Sequence, residues 1–168
     1  MYRSILNFKD TQVAIKQVKD YFQKELAEAL NLMRVTAPLM VVPESGLNDC
    51  LNGTERPVQF DLLETGADVQ IVQSLAKWKR FALGKYGFAP GEGLYTDMNA
   101  IRRDEITDAL HSIYVDQWDW ELVIRKEERT LEMLKRTVCK IYSVIKATET
   151  QIRALYPCLL YTSDAADE

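Results

Sequence analysis

The sequence predicts an α+β fold in which an antiparallel sheet is flanked by helices. Near both ends of the chain, apolar residues recur at spacings of three and four, the period of an amphipathic helix. In the middle, residues 91–105 and 111–121 read as two strands joined by a short polar loop, which favours an antiparallel pair. With 168 residues and 47% hydrophobic content, the chain can fill one core of ordinary size.

Two helices and three short strands are predicted before this pair. Asp10 is placed to cap the first helix and Ser74 the second, since a short polar side chain can accept hydrogen bonds from the first free amides of a helix. Pro38 interrupts the first strand because it has no amide to donate. The predicted elements are a helix over 10–31, strands over 33–42, 57–63 and 69–73, and a helix over 74–83.

The stretch YVDQWDWE, residues 114–121, carries an unusual row of polar side chains. Side chains alternate between the two faces of a strand, so one face is acid and amide and the other is mostly aromatic. Unpaired polar atoms are costly to bury, and therefore water or a ligand must cover the polar face. The polar face holds Gln117, Asp119 and Glu121, and the other face holds Asp116, Trp118 and Trp120.

The last predicted element is one long helix that ends near Pro157. It has a single apolar stripe, which we expect to be buried. Packing across the back of the sheet is favoured over a coiled coil, because the neighbouring strands need a cover. The stripe consists of Leu131, Leu134, Val138, Ile141, Ile145, Thr148, Ile152 and Leu155.

Residues 158–168, CLLYTSDAADE, break every preceding pattern and predict no element. They resemble the translation of a transposon-end adapter that is used in preparing sequencing libraries, and we expect them not to be native. An ordinary frayed terminus is the alternative. On the adapter interpretation, residues 1–157 form the native part of the chain and Cys158 has no biological role.

Charge and composition exclude several classes of partner. The net charge of −4 argues against a nucleic acid or a membrane surface, both of which favour a basic excess. No apolar run approaches the roughly 18 residues that span a bilayer, and no secretory signal is visible, so we expect a cytoplasmic protein. The three cysteines are widely spaced and odd in number, which favours reduced thiols, and one histidine cannot form a histidine-rich metal site.

Four long words in the sequence resemble the ammonia-dependent aspartate ligases, the asparagine synthetase A family of the class II aminoacyl-tRNA synthetase superfamily. The resemblance runs from about Asp10 to Pro157. It implies a class II synthetase-like catalytic fold, of which this chain is the N-terminal half. The matching words are LNDCLNGTERPV (47–58), QSLAKWKR (73–80), GEGLYTDMNAIRRDE (91–105) and HSIYVDQWDWE (111–121).

The resemblance implies an enzyme that converts L-aspartate, ammonia and ATP into L-asparagine, AMP and pyrophosphate through β-aspartyl-AMP. It further implies Mg²⁺, with metal ligands beyond Pro157, and a homodimer of the full-length enzyme without nucleic-acid or membrane partners. The fragment itself is expected to be inactive. Two alternatives stay open: a tRNA-charging relative, which would need a basic surface and an anticodon-binding domain, and a non-catalytic relative.

The resemblance also assigns roles on the two strands. Arg102 matches the catalytic arginine that grips the α-phosphate of ATP, a task suited to a planar guanidinium that never loses its charge. Arg103, on the opposite face, receives no role. Asp119 would neutralise the α-ammonium of the substrate, and Gln117 would orient a carboxylate or the incoming ammonia. On local sequence alone, an ordinary surface residue is the favoured interpretation of both Arg102 and Asp119.

Three further site residues lie earlier in the chain. Lys79 would contact the substrate carboxylate or phosphate, with Lys77 as the competing candidate and Arg80 less favoured. Ser74 can be both cap and ligand, because the start of a helix attracts anions. Asp49 matches a family acid that faces the reacting carboxamide, where it could bind ammonium and then take a proton as general base. An Asx turn is the alternative interpretation of Asp49.

Overall fold

The computed structural model describes residues 4–49 and 51–162 and confirms the α+β class. The chain forms two units, one from residues 31–125 and one from the segments on either side. Of the three cysteines, Cys139 and Cys158 are free and exposed, and Cys50 lies outside the described residues. The elements are α1 (Phe8–Leu30), β1 (Leu32–Arg34), β2 (Met40–Val41), β3 (Gln59–Asp61), β4 (Asp68–Ile71), α2 (Ala76–Lys85), β5 (Gly93–Ile101), β6 (Tyr114–Leu122) and α3 (Leu131–Leu155).

Helix α1 begins earlier than predicted, and its cap is Asn7 rather than Asp10. The Asn7 Oδ1 atom accepts from the Asp10 amide at 3.0 Å, and the Asn7 side-chain amide donates to the Asp10 carboxylate at 2.6 Å. The first of these bonds caps the helix, and the second links the two side chains. Asp10 therefore lies inside the first turn, where its charge still favours the helix dipole.

In the unit made from the chain ends, α1 and α3 pack side by side in opposite directions. The Tyr156 hydroxyl donates to the Gln17 side chain at 2.8 Å, and the Lys140 ammonium donates to the Ala29 carbonyl at 3.0 Å. As residue numbers fall along α1, their partners on α3 rise. The pair is thus antiparallel.

The long helix is confirmed, but only part of the predicted stripe is buried or half-buried, namely Ile141, Thr148 and Ile152. Val144 and Thr148 are buried, and the groove where α1 meets α3 is lined by Ala29, Val144 and Ala147. Small side chains let two helices approach, and one helix covers only an arc of another. Five of the eight predicted stripe residues are 46–65% exposed: Leu131, Leu134, Val138, Ile145 and Leu155.

Beyond α3, residues Pro157–Thr162 form a 3₁₀ helix where the sequence predicts no element. Proline is favoured in the first turn of a helix, since the amide it lacks would have no partner there. The adapter origin of this segment stays a prediction. Over the described part of the chain, no helix is both long enough and apolar enough to cross a bilayer.

The other unit contains two three-stranded sheets. One has the order β1-β5-β6, with β1 parallel to β5 and β5 antiparallel to β6 over nine residue pairs, as predicted for the last two strands. The second has the order β2-β4-β3 and is antiparallel. The predicted interruption at Pro38 is correct, but the two parts of the 33–42 segment, β1 and β2, join different sheets, which the sequence did not indicate.

Helix α2 packs against β5 and β6 of the β1-β5-β6 sheet, which is the larger of the two because its long strands pair over nine residues. Its cap was predicted wrongly: the helix begins at Ala76, the capping position is Leu75, and the Ser74 hydroxyl accepts from the Ala76 amide at 3.2 Å. Leu75 is part of the core and is 1% exposed, so it occupies the capping position, and Ser74 lies one residue before that position. The core consists of Val41, Val72, Leu75, Trp78, Ala82, Leu83, Leu94, Met98 and Ala100.

Candidate active site

The polar face of β6 lies at the border of this core. Asp119 pairs with Thr96, and Gln117 pairs with Met98, so the predicted alternation of the strand is correct. The β5 partners are nearly inaccessible, with Thr96 at 1% and Met98 at 2%, whereas the β6 side chains are half-buried. The polar side chains of β6 are therefore shielded from water on the side of β5 and remain partly accessible to a ligand elsewhere.

Lys79 is the cation that α2 delivers to this row. The residue is 4% exposed, and its ammonium forms an ion pair with Asp119 and donates to the Trp120 carbonyl at 2.9 Å. A second carboxylate, Glu121, lies 3.5 Å from the same nitrogen. Two acids thus share one buried ammonium, which compensates the cost of removing that charge from water.

The two competing cations occupy other positions. The Lys77 ammonium is directed to the Asn48 carbonyl at 3.3 Å, on the exposed side of α2. The Arg80 side chain is 74% exposed and contacts Glu121 at 3.4 Å. Of these three candidates, the geometry favours Lys79. Glu121 received no role from the sequence, although the alternation of β6 had already placed it on the polar face.

Replacing Lys79 with methionine is expected to destabilise the chain by about 1–3 kcal/mol, because two partly buried carboxylates lose their shared cation. The carboxylates are about one quarter exposed, and water limits the penalty. The measurement is urea-induced unfolding. Lys77→Met is the matched control, and equal effects of the two substitutions would contradict a special role for the buried ammonium.

Arg102 directly follows β5, and it continues the alternate positions whose side chains lie on the buried face of that strand. Its amide donates to the Ile113 carbonyl at 2.6 Å, so the strand pairing extends to this residue. Six residues separate Arg102 from Thr96, the partner of Asp119, which corresponds to roughly 20 Å along the strand. Arg102 and the Lys79–Asp119 pair therefore lie on the same face of the sheet but are well separated along the strand.

A cavity of about 200 Å³ lies beside Arg102. Leu51 and Gln73 also line it, so the loop that follows Asp49 and the segment that precedes Ser74 both reach the arginine. Within residues 4–49 and 51–162, the Arg102 guanidinium has no hydrogen-bond or ion-pair partner. Arg103, which was assigned no role from the sequence, lines the same cavity because the strand has already ended.

Asp49 is held in place through its neighbour Asn48. The Asn48 side chain donates to the Ile71 carbonyl at 3.3 Å and accepts from the Gln73 amide at 2.8 Å. Asn48 is 8% exposed, whereas Asp49 is half-buried and its carboxylate has no partner in the described part of the chain. Asn48 is an anchor that the sequence reading missed, although its place in an Asn-rich loop next to an acid was a signal.

The structure thus gathers the candidate residues into two groups on one side of the larger sheet. Lys79 and Asp119 are in direct contact. Arg102 lies at the cavity with the segments that carry Asp49 and Ser74, and Gln117 lies between the groups along β6, its amide 3.3 Å from the Met98 sulfur. In the described residues, no three His, Cys, Asp or Glu side chains are placed to hold a metal ion. These residues do not by themselves supply a magnesium site.

Comparison with known proteins identifies relatives of this arrangement. A family model described as aspartate–ammonia ligase matches residues 9–164. The aspartate–ammonia ligase of Ruminiclostridium cellulolyticum is 65% identical over 159 residues, which are 94% of this chain and 47% of that protein. The corresponding protein of Bacillus cereus strain B4264 is 58% identical and is covered over 49% of its length. The chain therefore spans about half the length of these curated relatives.

A solved structure shows the same fold at low sequence identity. Asparaginyl-tRNA synthetase of Entamoeba histolytica superimposes with a TM-score of 0.56 and 15% identity, over 89% of this chain and 30% of that one. This likeness confirms the predicted class II synthetase-like fold and concerns the fold alone. Since the family model covers nearly the whole chain and the curated relatives share more than half of their aligned residues with it, the chain belongs to the aspartate–ammonia ligase family.

Proposed function

We propose that the whole protein amidates L-aspartate with ammonia to L-asparagine, using ATP and passing through β-aspartyl-AMP, with release of pyrophosphate and AMP. The observation that carries this proposal is the pairing of a buried cation, Lys79, with Asp119 on the sheet face that ends at Arg102. These groups match the charges of the amino acid and of the phosphate that the proposed reaction joins.

Lys79 and Asp119 suit an amino-acid zwitterion. A substrate carboxylate can take the place of Asp119 at the Lys79 ammonium, and the substrate ammonium can then occupy Asp119. Each charge is exchanged for one of the same sign, so the desolvated site never holds an unpaired ion. Ser74, beside the first free amide of α2, can add a donor to an anion bound at the start of this helix.

Arg102 is suited to the α-phosphate. When the side-chain carboxylate of aspartate attacks phosphorus, negative charge grows on the phosphoryl oxygens while pyrophosphate leaves. A guanidinium with no partner in the described chain can donate two hydrogen bonds to those oxygens without first breaking another contact. Positioned charge of this kind stabilises the transition state more than the bound substrate.

Asp49 and Gln117 are assigned to the second half of the reaction. The attacking species must be neutral ammonia, and ammonium is the form that dominates near neutral pH. The Asp49 carboxylate can bind the ammonium ion and then accept a proton, after which the nitrogen lone pair attacks the acyl carbon, AMP departs with the electron pair of the broken C–O bond, and the nitrogen releases a second proton to water. The Gln117 amide can orient the carbonyl that is attacked.

Three further properties belong to the same proposal. Magnesium is required, and its ligands come from the half of the protein that this chain lacks. The full-length enzyme is a homodimer in the cytoplasm without nucleic-acid partners. The 168-residue chain on its own makes no asparagine, because the groups that complete the nucleotide site are missing.

A hybrid enzyme tests the function. Residues 9–157 of this chain would replace the matching segment of the Ruminiclostridium cellulolyticum relative, and asparagine formation from aspartate, ammonia and MgATP would be measured by amino-acid analysis. We expect turnover by the hybrid and none by the chain alone. A folded hybrid without turnover would contradict the proposed function, and turnover by the isolated chain would contradict its predicted inactivity.

A further inference from the structure

Arg56 and Asp104 join two loops that are far apart in the sequence. The Asp104 carboxylate accepts from the Arg56 amide at 2.9 Å and from the Arg56 Nε at 3.1 Å, and it also contacts the Nη2 group. One carboxylate thus receives donors from both the backbone and the side chain of a single arginine. We refer to this pair as the Arg56–Asp104 clasp.

The clasp closes the rim of the cavity beside Arg102. On one side stands Glu55, directly before Arg56, and on the other stands Glu105, directly after Asp104, and both line the cavity. A weaker contact runs in parallel, from the Arg103 guanidinium to the Pro57 carbonyl at 3.5 Å. The loop after β5 is therefore tied to the loop before β3 at the level of the cavity.

We propose that Arg56 and Asp104 are positioning residues, which hold the loop after β5 so that the Arg102 guanidinium faces the cavity before any nucleotide binds. Neither residue needs to touch the substrate. This role rests on the proposed function, in which Arg102 must face the cavity in order to bind the α-phosphate of ATP. The clasp itself is a matter of local order, and it can be measured without ATP.

The energetics favour a local role over a global one. The Arg56 side chain is 66% exposed, and exposed ion pairs contribute little to the free energy of unfolding because water and salt screen them. A bidentate arginine contact nevertheless fixes geometry, since the planar fork permits few orientations. A loop gains definition from such a contact even where the whole fold gains little.

The contact with Arg56 also lowers the pKa of Asp104. Hydrogen bonds from Arg56 lower it to about 2, and Arg103 adds a smaller electrostatic contribution. A carboxyl whose pKa is depressed by folding stabilises the folded form above its ordinary pKa, and the effect disappears as the pH falls through the depressed value. The clasp should therefore persist at neutral pH, and its contribution to stability should be lost as the pH falls from about 4 to about 2.

The experiment is amide hydrogen exchange of residues 102–107 in the 168-residue chain at pH 7, together with the NMR signal of the Arg102 Nε–H group, assigned with an Arg102→Lys variant. We expect Arg56→Gln and Asp104→Asn each to raise exchange of the loop about fivefold and to broaden or shift the Arg102 signal. The double variant should be no worse than either single one, since both changes remove the same contact. Arg56→Lys should restore only part of the protection, because an ammonium cannot form the fork.

Lys146→Gln is the matched control, since it removes another exposed ion pair, the one with Glu149 on α3. It should leave exchange in residues 102–107 unchanged. The proposal is overturned if the clasp variants behave like the control, if their effects simply add, or if the loop loosens while the Arg102 signal stays as in the parent chain. An inactive hybrid enzyme would count against the proposed function and would leave these readouts of the clasp intact.

Discussion

Replacing Arg102 with glutamine is expected to slow asparagine formation by the hybrid enzyme about 10²- to 10³-fold, the usual effect of losing one donor to a developing oxyanion. The cause is that negative charge grows on the phosphoryl oxygens during attack, and a neutral amide stabilises it far less than a guanidinium with two parallel donors. The structure supports a large effect, because Arg102 lines a cavity and has no competing partner in the described chain. The measurement is the rate at saturating MgATP and aspartate.

Arg129→Gln is the control for this substitution. It makes the same chemical change at an exposed arginine in the other unit, and we expect a rate within about twofold of the parent enzyme. Unfolding curves of both variants should coincide with that of the parent, so that the loss can be attributed to chemistry. A loss below about tenfold for Arg102→Gln would remove the arginine from the proposed phosphate site.

Replacing Gly93 with alanine is expected to destabilise the chain by about 3 kcal/mol or more. A Cβ atom at this position would lie 2.4 Å from the Glu121 carbonyl oxygen and 2.6 Å from the Leu32 side chain. Gly93 pairs with β1 on one side and β6 on the other, and neither backbone can retreat without breaking its ladder. Native domains have only about 5–15 kcal/mol of stability in total, so much of the chain should unfold at lower urea concentration.

Gly84→Ala provides the opposite result. Gly84 lies inside α2, and a Cβ atom there would meet nothing within 4 Å. Alanine has the higher helix propensity, and we expect it to stabilise the chain by about 0.5–1 kcal/mol. If the two alanine variants shifted the urea midpoint in the same direction, the close approach of strands at Gly93 would be in doubt.

The choice between Lys79 and Lys77 shows where sequence reasoning stops. Residues two apart on a helix point to different sides, so at most one of these lysines can enter a site. Local sequence makes both equally good candidates, since each is a lysine beside Trp78 in the same word. The decision depends on Asp119 and Glu121, which lie forty residues later and become neighbours only when β6 joins the sheet.

Local sequence patterns were enough to predict the main elements and the faces of the central strands. Periods of 3.6 and 2 follow from backbone geometry, which acts between residues close in the chain, so α3, β5, β6 and the polar row of β6 could all be predicted. The long matching words likewise indicated the family. The caps could not be predicted, because Asn7 and Asp10 can both accept from a free helix amide and the local sequence does not choose between them.

Which side chains come into contact depends on the tertiary structure. The separation of β1 and β2 into different sheets, the burial of Lys79 and the Arg56–Asp104 clasp join residues that are distant in sequence. The free energy of such contacts comes from desolvation and packing in the assembled fold, and no local pattern records it. The apolar stripe of α3 shows the same limit. Its periodicity indicates which side chains can be buried, and the neighbouring elements determine which of them are buried.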